Sequence, residues 1–435
     1  MRREALREYA SGALWVLPFA AANVALLGSW AISQVEPADG TVLARAAFQG
    51  SAADARDLLF GITGTVVTVI ALVLGLTVVA LQLSSTQFSP RLLRNFLRDR
   101  PNQVVLSVFL ATFAYCGGLL FTVGVGSDPE DFPRLAVSGS IALLFASMGV
   151  VVYFADHLSH SLQVEAIMRR VEREALAGIR FAPTDVEEHP PARPPWAIGI
   201  PATASGYVQT THPERLLPLA IRHGVGIAVT QGVGQHVALG STLAWVWTPR
   251  PDEPAPDLEA LERGLANDVG IGFERTGQQD VAVGIRQLVD VASKALSPAV
   301  NDPYTAVQAI HHLTVIFGAM ARHPLGPRVA RDPDGPAVVV VPSRLFGQYL
   351  AKMCGLIRRY GSAEPTIATG LLRLLSHCAS VARADATRLD AIAEQARIVA
   401  DDARREIAQP ADLVQVVEEE DELQRRIARF RQRLV

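Results

Sequence analysis

Hydrophobic residues are concentrated in the first third of this chain, where long apolar runs alternate with short charged segments. The clearest run extends from Leu58 to Leu83 and contains no charged residue. As a helix rising about 1.5 Å per residue, roughly 26 residues reach about 39 Å, which exceeds the roughly 30 Å hydrocarbon core of a bilayer. A buried helix of a soluble protein seldom needs that length. The run therefore predicts a transmembrane helix and a membrane protein.

Three further runs meet the same criterion. They are Leu14–Ile32, which has Trp15 and Trp30 near its ends, Val104–Gly126 and Leu135–Ala155. Indole side chains favour the headgroup layer, so both tryptophans are expected at the membrane interface. The first run could instead be a signal peptide, although it is longer than a usual h-region and no clean small-x-small site follows it. The pattern thus predicts a bundle of four transmembrane helices in residues 1–155.

The charges of the connecting segments predict the orientation of this bundle. Basic residues lie before the first run and after the second: Arg2, Arg3, Arg7, Arg91, Arg94, Arg98 and Arg100. The connections between the first and second runs and between the third and fourth runs are mainly acidic. Basic loops stay in the cytoplasm, so both termini are expected there. Residues 87–100 also have the pattern of an amphipathic interfacial helix, in which Arg91, Arg94 and Arg98 meet anionic headgroups. The alternative is that these arginines act only as topological anchors.

Past residue 155 the chain reads as a water-soluble region of about 280 residues, which is long enough for one or two domains. Residues 156–195 combine a helical connector, expected to continue from the fourth run, with a Pro-rich linker. Residues 196–250 form short Val, Ile, Ala and Thr runs between glycines, which predict a small β-barrel or sandwich. Residues 257–435 predict a cytoplasmic helical domain. The fold class is therefore a membrane α-helical bundle followed by a cytoplasmic α+β region.

Amphipathic periodicity predicts only helices after Asp257. The predicted stretches are Leu258–Val269, Asp280–Ala295, Pro303–Ala321, Ser343–Tyr360, Pro365–Ala384, Asp385–Ile407 and Leu413–Leu434. The last begins acidic and ends with five arginines, an order that complements the helix dipole. It is either a solvated charged helix or a tail that binds a partner.

Composition and motifs narrow the function classes. Cys116, Cys354 and Cys378 form no C-x-x-C, so reduced thiols are expected rather than a disulfide framework or a zinc site. The chain has no G-x-x-x-x-G-K-[ST], H-E-x-x-H or nucleophile elbow, which argues against an enzyme. Basic residues are dispersed, so we expect no nucleic-acid partner. Gly234–Val246 is similar to the turn of biotinyl and lipoyl carriers, but it lacks their lysine. Covalent attachment of biotin or lipoate is therefore not expected, and whether the protein uses another cofactor is unknown.

Residues 272–313 contain the densest group of polar side chains. Arg286, Asp290 and Lys294 are spaced by four and share one helical face, and Asp302 is placed to cap the helix that Pro303 opens. The candidate ligand-binding residues are Arg275, Thr276, Gln279, Asp280, Arg286, Asp290, Lys294, Asn301 and Asp302. A phosphate-bearing ligand or an acidic partner could use the cations. The alternative is that these residues are only caps and ion pairs.

Two histidines at the end of the fourth run form a second candidate. His157 and His160 share a helix face beside Asp156. Their spacing suits a metal, but no third ligand is evident, so no metal is predicted. A pH-sensitive hinge is the better reading, because histidine titrates near neutral pH.

Several phrases of the sequence are similar to one family. The segments LQLSSTQFSPRLLRNF, Phe113-x-Tyr115, ERTGQQD and, above all, ALSPAVNDPYTA resemble domain-of-unknown-function family 2254, which comprises predicted bacterial membrane proteins. The likeness runs from the first apolar run to about residue 400. It implies a protein of the bacterial inner membrane with a cytoplasmic C-terminal region, and it implies no catalytic residue.

Three functions remain open at this point. The first is a channel or transporter, expected to be a homo-oligomer in the lipid bilayer, in which the small residues of the second run line a pore or pack helices: Gly61, Gly64, Thr65, Thr68 and Gly75. No charge lies within a run, which disfavours an ion-coupled carrier. The second is a membrane-tethered sensor or scaffold. The third is an enzyme acting on a lipid or envelope precursor through Asp280, Asp290, Asp302 or His311.

Overall fold

A computed structural model describes residues 14–35, 41–87, 100–123, 132–161, 163–180, 186–187, 189–273 and 280–434. The contacts between Cα atoms divide the chain into an N-terminal unit, residues 1–166, and a C-terminal unit, residues 167–435. Each unit has its own core.

The N-terminal unit consists of helices. They are α1 (Val16–Ser33), the short α2 (Val42–Ala46), α3 (Ala52–Gln87), α4 (Arg100–Leu120) and α5 (Arg134–Ser161). The four long helices are long and apolar enough to cross a membrane, as the four uncharged runs predict. The helix expected to continue from the fourth run is interrupted, because α5 ends at Ser161 and α6 (Val164–Arg180) begins after it.

Helix α4 contacts α1, α3 and α5. Its contact with α1 is close because Gly118 has no side chain: a Cβ atom there would collide with the Ser29 hydroxyl and lie 2.9 Å from Leu26 Cδ1. Its contact with α5 is polar as well as close. The Tyr115 hydroxyl donates to the Ala136 carbonyl oxygen at 2.9 Å, and the Thr112 and Ser147 hydroxyls are 3.0 Å apart.

The C-terminal unit mixes helices and strands. Its strands are β1 (Ile198–Pro201), β2 (Gly206–Thr210), β3 (Gly226–Val229), β4 (His236–Val237), β5 (Thr242–Trp247), β6 (Gly270–Gly272), β7 (Arg328–Arg331) and β8 (Val338–Val341). After α6, its helices are α7 (Pro213–His223), α8 (Leu258–Asp268), α9 (Val281–Ala295), α10 (Pro303–Met320), α11 (Phe346–Gly361), α12 (Pro365–Val381), α13 (Ala386–Glu406) and α14 (Pro410–Gln432).

The described strands form two open sheets, so the predicted barrel is not found. One sheet has the order β1-β5-β3-β8-β7 and the other the order β4-β2-β6. Strand β3 is parallel to β8, whereas the other pairs are antiparallel. Ile200, Ile227 and Val246 share one buried cluster with Val208 and Val237 of the second sheet. The two sheets therefore enclose a common core.

The expectation of only helices after Asp257 is wrong at three strands. β6, β7 and β8 all follow that residue, and β8 lies inside the larger sheet, between β3 and β7. All four valines of β8 are buried. A short, continuous apolar run bounded by turn residues is typical of such a strand. The predicted linker also contacts this region, because the Glu187 amide donates to the Pro327 carbonyl oxygen at 2.9 Å.

The seven helices from α8 to α14 begin and end within three residues of their predicted bounds. Acidic residues cap many of their N-termini: Asp257, Asp280, Asp302, Glu364 and Asp385 each accept a hydrogen bond from a backbone amide of the first turn. Such caps satisfy donors that have no partner inside the helix. The local chemistry thus explains why periodicity located these helices well.

The cysteines are free thiols, and all three are buried. In the C-terminal unit, burial raises the pKa of the Cys354 thiol to about 12. Burial also raises the pKa of Cys378. Both thiols therefore stay protonated at neutral pH and behave as small apolar core residues.

Candidate functional site

The polar face of α9 lines a surface depression together with α11. The depression has a volume of about 330 Å³ and is lined by Arg286, Asp290, Ser293, Lys294, Ser297, Leu356 and Tyr360. Helix α9 buries Ile285, Leu288 and Ala292 on its opposite side. Burial of that apolar face leaves the predicted row of Arg286, Asp290 and Lys294 at the surface.

Charge in the depression is positive. Arg286 Nε lies 2.7 Å from Asp290 Oδ1, so this carboxylate offsets one of the two cations. Lys294 adds a second positive charge one turn further along the helix. The Asp290 side chain is 18% exposed and the Arg286 side chain is 45% exposed, which leaves the guanidinium accessible. Serine hydroxyls and the Tyr360 ring complete a surface that suits a small anion.

Two of the predicted ligand residues cap helices. Asp280 accepts a hydrogen bond from the Ala282 amide at 3.0 Å at the start of α9. Asp302 accepts from the Thr305 hydroxyl at 2.6 Å and from the Thr305 amide at 3.1 Å at the start of α10. These two hydrogen bonds hold the pKa of the Asp302 carboxyl below its usual range. Helix capping is therefore sufficient to explain why aspartate occupies both positions.

The phrase ALSPAVNDPYTA forms the connection between α9 and α10. The Ser297 hydroxyl donates to the Lys294 carbonyl oxygen at 2.7 Å, and the Asp302 amide returns to the Ala295 carbonyl oxygen at 2.8 Å. Asn301 adopts a left-handed conformation with φ of 50°, which asparagine tolerates better than most residues. Pro303 then opens α10. Asn301 therefore has a clear structural role in this turn.

The remaining predicted ligand residues, Arg275, Thr276 and Gln279, lie outside the described residues. The structure thus brings Arg286, Asp290 and Lys294 together in one depression and gives Asp280, Asn301 and Asp302 roles in the adjoining turns. Ser293, Ser297, Leu356 and Tyr360 join the site without having been predicted as ligands. The two serines could have been found from helix spacing, whereas Leu356 and Tyr360 belong to α11 and depend on tertiary packing.

The carboxylates suggested for catalysis are engaged in structural contacts. Asp280 and Asp302 cap different helices, and Asp290 is paired with Arg286. The neighbour of His311 also has a partner: His312 Nδ1 lies 2.5 Å from Glu172 Oε2 and connects α10 to α6. An acid–base pair would need carboxylates that are free to exchange protons with a substrate.

The histidines at the end of α5 contact their own helix. His160 Nδ1 lies 2.9 Å from the Asp156 carbonyl oxygen, and the His157 ring stacks on Tyr153 with centroids 6.0 Å apart. Among the described residues, no group of three or more His, Cys, Asp or Glu side chains could hold a metal ion. The hinge predicted here stays a prediction.

The predicted interface residues of the N-terminal unit are only partly described. Trp15 is the N-cap of α1 and Trp30 lies in its last turn. Their side chains are 60% and 65% exposed, and Trp15 contacts Phe19 edge to face. Arg91, Arg94 and Arg98 lie outside the described residues. The two tryptophans lie at opposite ends of one apolar helix, and their location at the membrane interface stays a prediction.

The small residues of α3 face away from the other described helices. A Cβ atom added at Gly61, Gly64 or Gly75 would meet no described atom within 4 Å. Thr65 and Thr68 are exposed and donate their hydroxyls to the Gly61 and Gly64 carbonyl oxygens of their own helix, at 2.8 and 3.0 Å. The buried side of α3 instead presents Leu59, Ile62, Val66 and Val73. Among the described residues of the chain, these glycines and threonines therefore do not mediate packing between helices.

Comparisons with known proteins agree on one family. A family model described as a predicted membrane protein (DUF2254) matches residues 11–377. A protein of Mycobacterium tuberculosis and a protein of Mycobacterium bovis, both described as uncharacterized, are each 41% identical to this chain over 423 residues. Each alignment covers 96% of this chain and 81% of the relative. No solved structure matches the chain.

Proposed function

The chain belongs to the DUF2254 family of predicted membrane proteins, and on that premise we propose that it is a membrane-tethered sensor whose C-terminal unit binds a small anion between α9 and α11. The observation that supports this proposal is the depression in which Arg286 and Lys294 face Ser293, Ser297 and Tyr360. A guanidinium and an ammonium that line the same depression offer charged donors to a phosphate or carboxylate group. Asp290 fixes the Arg286 side chain, which reduces the entropy that binding would cost.

Lysine chemistry gives a direct test, because the chain contains only two lysines, Lys294 and Lys352. The full-length protein in neutral detergent is treated with an amine-reactive reagent, and modification of each lysine is measured by mass spectrometry. Inorganic phosphate, adenosine monophosphate and citrate serve as probes. We expect at least one probe to protect Lys294 while Lys352 reacts as before.

Variants test whether the depression is the cause of that protection. Arg286→Ala removes a charged donor and keeps the reporter Lys294, so about tenfold more probe should be needed to protect Lys294. Lys352→Ala is the matched control and should leave binding unchanged. If no probe protects Lys294, or if the control weakens binding equally, the proposal of a ligand site at α9 is wrong.

A second candidate, an oligomeric channel or transporter-like assembly, is supported by the outward face of α3. Gly61, Gly64 and Gly75 allow close approach of another helix, and no described helix of the same chain uses that surface. A second copy of the chain could cover it. Gly64→Leu should then reduce cross-linked oligomers in nanodiscs, whereas Gly149→Leu on α5, where added bulk also meets no described atom within 4 Å, should not. Absence of ion flux through liposomes containing the wild-type protein would count against a channel.

The proposed location is the bacterial inner membrane, with four passes and both termini in the cytoplasm. This orientation is supported by the arginines before the first apolar run and after the second. Single cysteines introduced as Arg3→Cys and Leu434→Cys test it in intact cells, because the native cysteines are buried. Neither new thiol should react with an impermeant reagent until the membrane is opened. Labelling of either terminus from outside would reverse the assignment.

A further inference from the structure

Unpaired positive charge is concentrated in the last turns of α14. Its five closing arginines are Arg425, Arg426, Arg429, Arg431 and Arg433. Arg426 pairs with Glu422 (Nη2–Oε1 2.6 Å) and Arg431 pairs with Asp390. Arg425, Arg429 and Arg433 have no ion pair among the described residues. These three are spaced by four residues, so they are neighbours on one side of the helix.

Arginines elsewhere in these helices are mostly paired with acidic residues. Examples are Arg373 with Glu419, Arg388 with Asp385, Arg397 with Asp401, and Arg404 with Glu420. The contrast is informative because like charges at i,i+4 destabilise a helix. The negative end of the helix dipole offsets part of that repulsion. An anion bound between the arginines would offset it more fully.

A cavity lies beside these arginines, between α14 and the end of α12. Its volume is about 260 Å³, and it is lined by Ser380, Arg426, Arg429, Phe430 and Arg433. The exposed Arg429 and Arg433 belong to one wall, and Phe430 adds an apolar surface. Helix α12 contributes the other wall through Ser380. Side chains of two helices thus form a concave, cationic site.

One arginine of this cavity is held in place before any ligand binds. Arg426 Nη1 donates to the Ser376 hydroxyl at 2.9 Å and to the Ser380 hydroxyl at 3.4 Å. The Ser380 hydroxyl donates in turn to the Ser376 carbonyl oxygen at 3.0 Å. Arg426 is therefore oriented by α12 and by Glu422, whereas Arg429 and Arg433 keep their donors available. A fixed donor beside two adjustable ones is a suitable arrangement for a tetrahedral anion.

We propose that Arg426, Arg429 and Arg433 bind a phosphate group in this cavity. Guanidinium groups match phosphate through paired, charge-assisted hydrogen bonds. The phosphate can belong to a soluble phosphorylated compound or to the headgroup of an anionic phospholipid, since both present the same chemistry. None of these residues lines the α9–α11 depression. A result at this cavity therefore does not decide whether the α9–α11 depression binds a ligand.

The experiment uses the full-length protein and two double variants. Arg429→Ala with Arg433→Ala removes the two available cations of the cavity. Arg222→Ala with Arg250→Ala is the control, because it removes the same charge from two exposed arginines that have no ion pair among the described residues. Thermal unfolding in neutral detergent is measured against inorganic phosphate and pyrophosphate at constant ionic strength. Hydrogen exchange of residues 425–434 is measured in phosphatidylcholine nanodiscs with and without phosphatidylglycerol.

We expect the Tm of the wild-type protein and the control to rise with phosphate or pyrophosphate, or residues 425–434 to gain protection in phosphatidylglycerol nanodiscs. The first result identifies a soluble phosphate ligand and the second a lipid headgroup. In either case the cavity variant should bind at least about tenfold more weakly. Without an anion it should unfold at the same temperature as wild type or higher, because it lacks the like-charge contacts.

Two results would overturn the proposal. If the cavity variant and the control respond alike to every probe, the response comes from diffuse charge and not from this cavity. If the wild-type protein responds to none of the probes, the cavity binds no phosphate and the arginines act as partners of the helix dipole.

Discussion

The long helices of the N-terminal unit leave most of their apolar surface exposed within the described chain, whereas the helices of the C-terminal unit bury large apolar side chains. In the N-terminal unit, α4 meets α1 at Gly118 and meets α5 through Tyr115 and Thr112. In the C-terminal unit, α10 contacts α12, and both helices bury large apolar residues such as Phe317, Leu371 and Leu375. A glycine also takes part in this contact, because a Cβ atom at Gly318 would collide with the His377 ring. Lipid tails are as apolar as leucine, so burial of leucine does not drive helices together in a membrane, whereas it does so in water. The difference therefore matches the solvent expected around each unit.

The glycines of the N-terminal unit differ in whether a neighbouring helix lies against them. Gly118 and Gly139 are in close contacts: a Cβ atom at Gly139 would lie 2.5 Å from the Tyr115 hydroxyl oxygen. Gly61, Gly64 and Gly75 meet no described atom within 4 Å. Glycine in a membrane helix thus indicates a close contact only where a partner helix is present. The following predictions test these contrasts, beginning with the largest effect.

The strongest single contact between helices of the C-terminal unit is expected at Arg388. Its guanidinium donates to the carbonyl oxygens of Met320, Ala321 and His323 at 3.2, 2.7 and 2.8 Å, and its side chain is 14% exposed. Arg388→Met should lower the free energy of unfolding by about 3 kcal/mol, because charge-assisted hydrogen bonds are lost at the end of α10. Hydrogen exchange of α10 and α13 in the full-length protein measures this effect.

Arg397→Met on the same helix is the control for that prediction. The Arg397 side chain is 63% exposed and pairs only with Asp401, one turn away, so its loss should cost less than about 0.5 kcal/mol. Equal effects of the two substitutions would mean that Arg388 is not a link between α10 and α13.

In the N-terminal unit the largest effect is expected at Gly118. Gly118→Leu would force α4 away from Ser29 and Leu26, and overpacking of this kind typically costs about 2 kcal/mol. The adjacent Gly117 is the control, because a Cβ atom there meets no described atom within 4 Å. Unfolding by detergent titration should separate Gly118→Leu from Gly117→Leu. Similar midpoints for both variants would contradict the packing of α1 on α4.

The cap of α10 gives a smaller, pH-dependent effect. Asp302→Ala should lower stability by about 1 kcal/mol at neutral pH, since it removes the side-chain acceptor at the helix N-terminus. The pKa of the Asp302 carboxyl is lower in the folded state than in the unfolded state, so its contribution is complete above the unfolded pKa, near 4, and is lost as the pH falls through the folded value. The difference between wild type and variant should therefore shrink in acid.

Asp302→Asn separates the cap from the charge. Asparagine also caps helices well, so this variant should keep most of the stability at neutral pH and lose only the acid-dependent part. Hydrogen exchange of residues 303–308 across the pH range follows both variants. A difference between wild type and Asp302→Ala that does not change with pH would show that ionisation of Asp302 is irrelevant.

The smallest expected effect concerns the polar contact inside the N-terminal unit. Thr112→Val removes the hydrogen bond with Ser147, and interhelical hydrogen bonds in membranes average only about 0.6 kcal/mol. Thr65→Val is the control, because the Thr65 hydroxyl bonds only to the Gly61 carbonyl oxygen of its own helix. Detergent-titration midpoints should differ slightly between the two. A larger loss at Thr65 would indicate that the outer face of α3 is covered.

Several elements follow from local sequence because their causes are local. The four apolar runs give four helices long enough to cross a membrane, and an acidic cap or a proline in the first turn marks the start of most helices of the C-terminal unit. Strand β8 was missed although its antiparallel partner β7 lies only a few residues earlier, while its other partner, β3, lies more than a hundred residues earlier in the chain. Four valines in a row do not by themselves reveal the strand beside which they lie.

Each candidate site likewise contains residues that local sequence identified and residues that only tertiary structure placed there. Spacing alone grouped Arg286, Asp290 and Lys294 on one helical face, and the order of acidic and basic residues along the last helix drew attention to the arginines at its end. Only tertiary structure set Leu356 and Tyr360 beside α9, placed Ser380 and Arg429 in one cavity and turned the glycines of α3 away from the other described helices. Hydropathy, spacing and capping act within a few turns of helix, so the sequence by itself determined which segments form helices and which side chains share a face. Which faces meet depends on contacts between distant segments, and that was decided only by the fold.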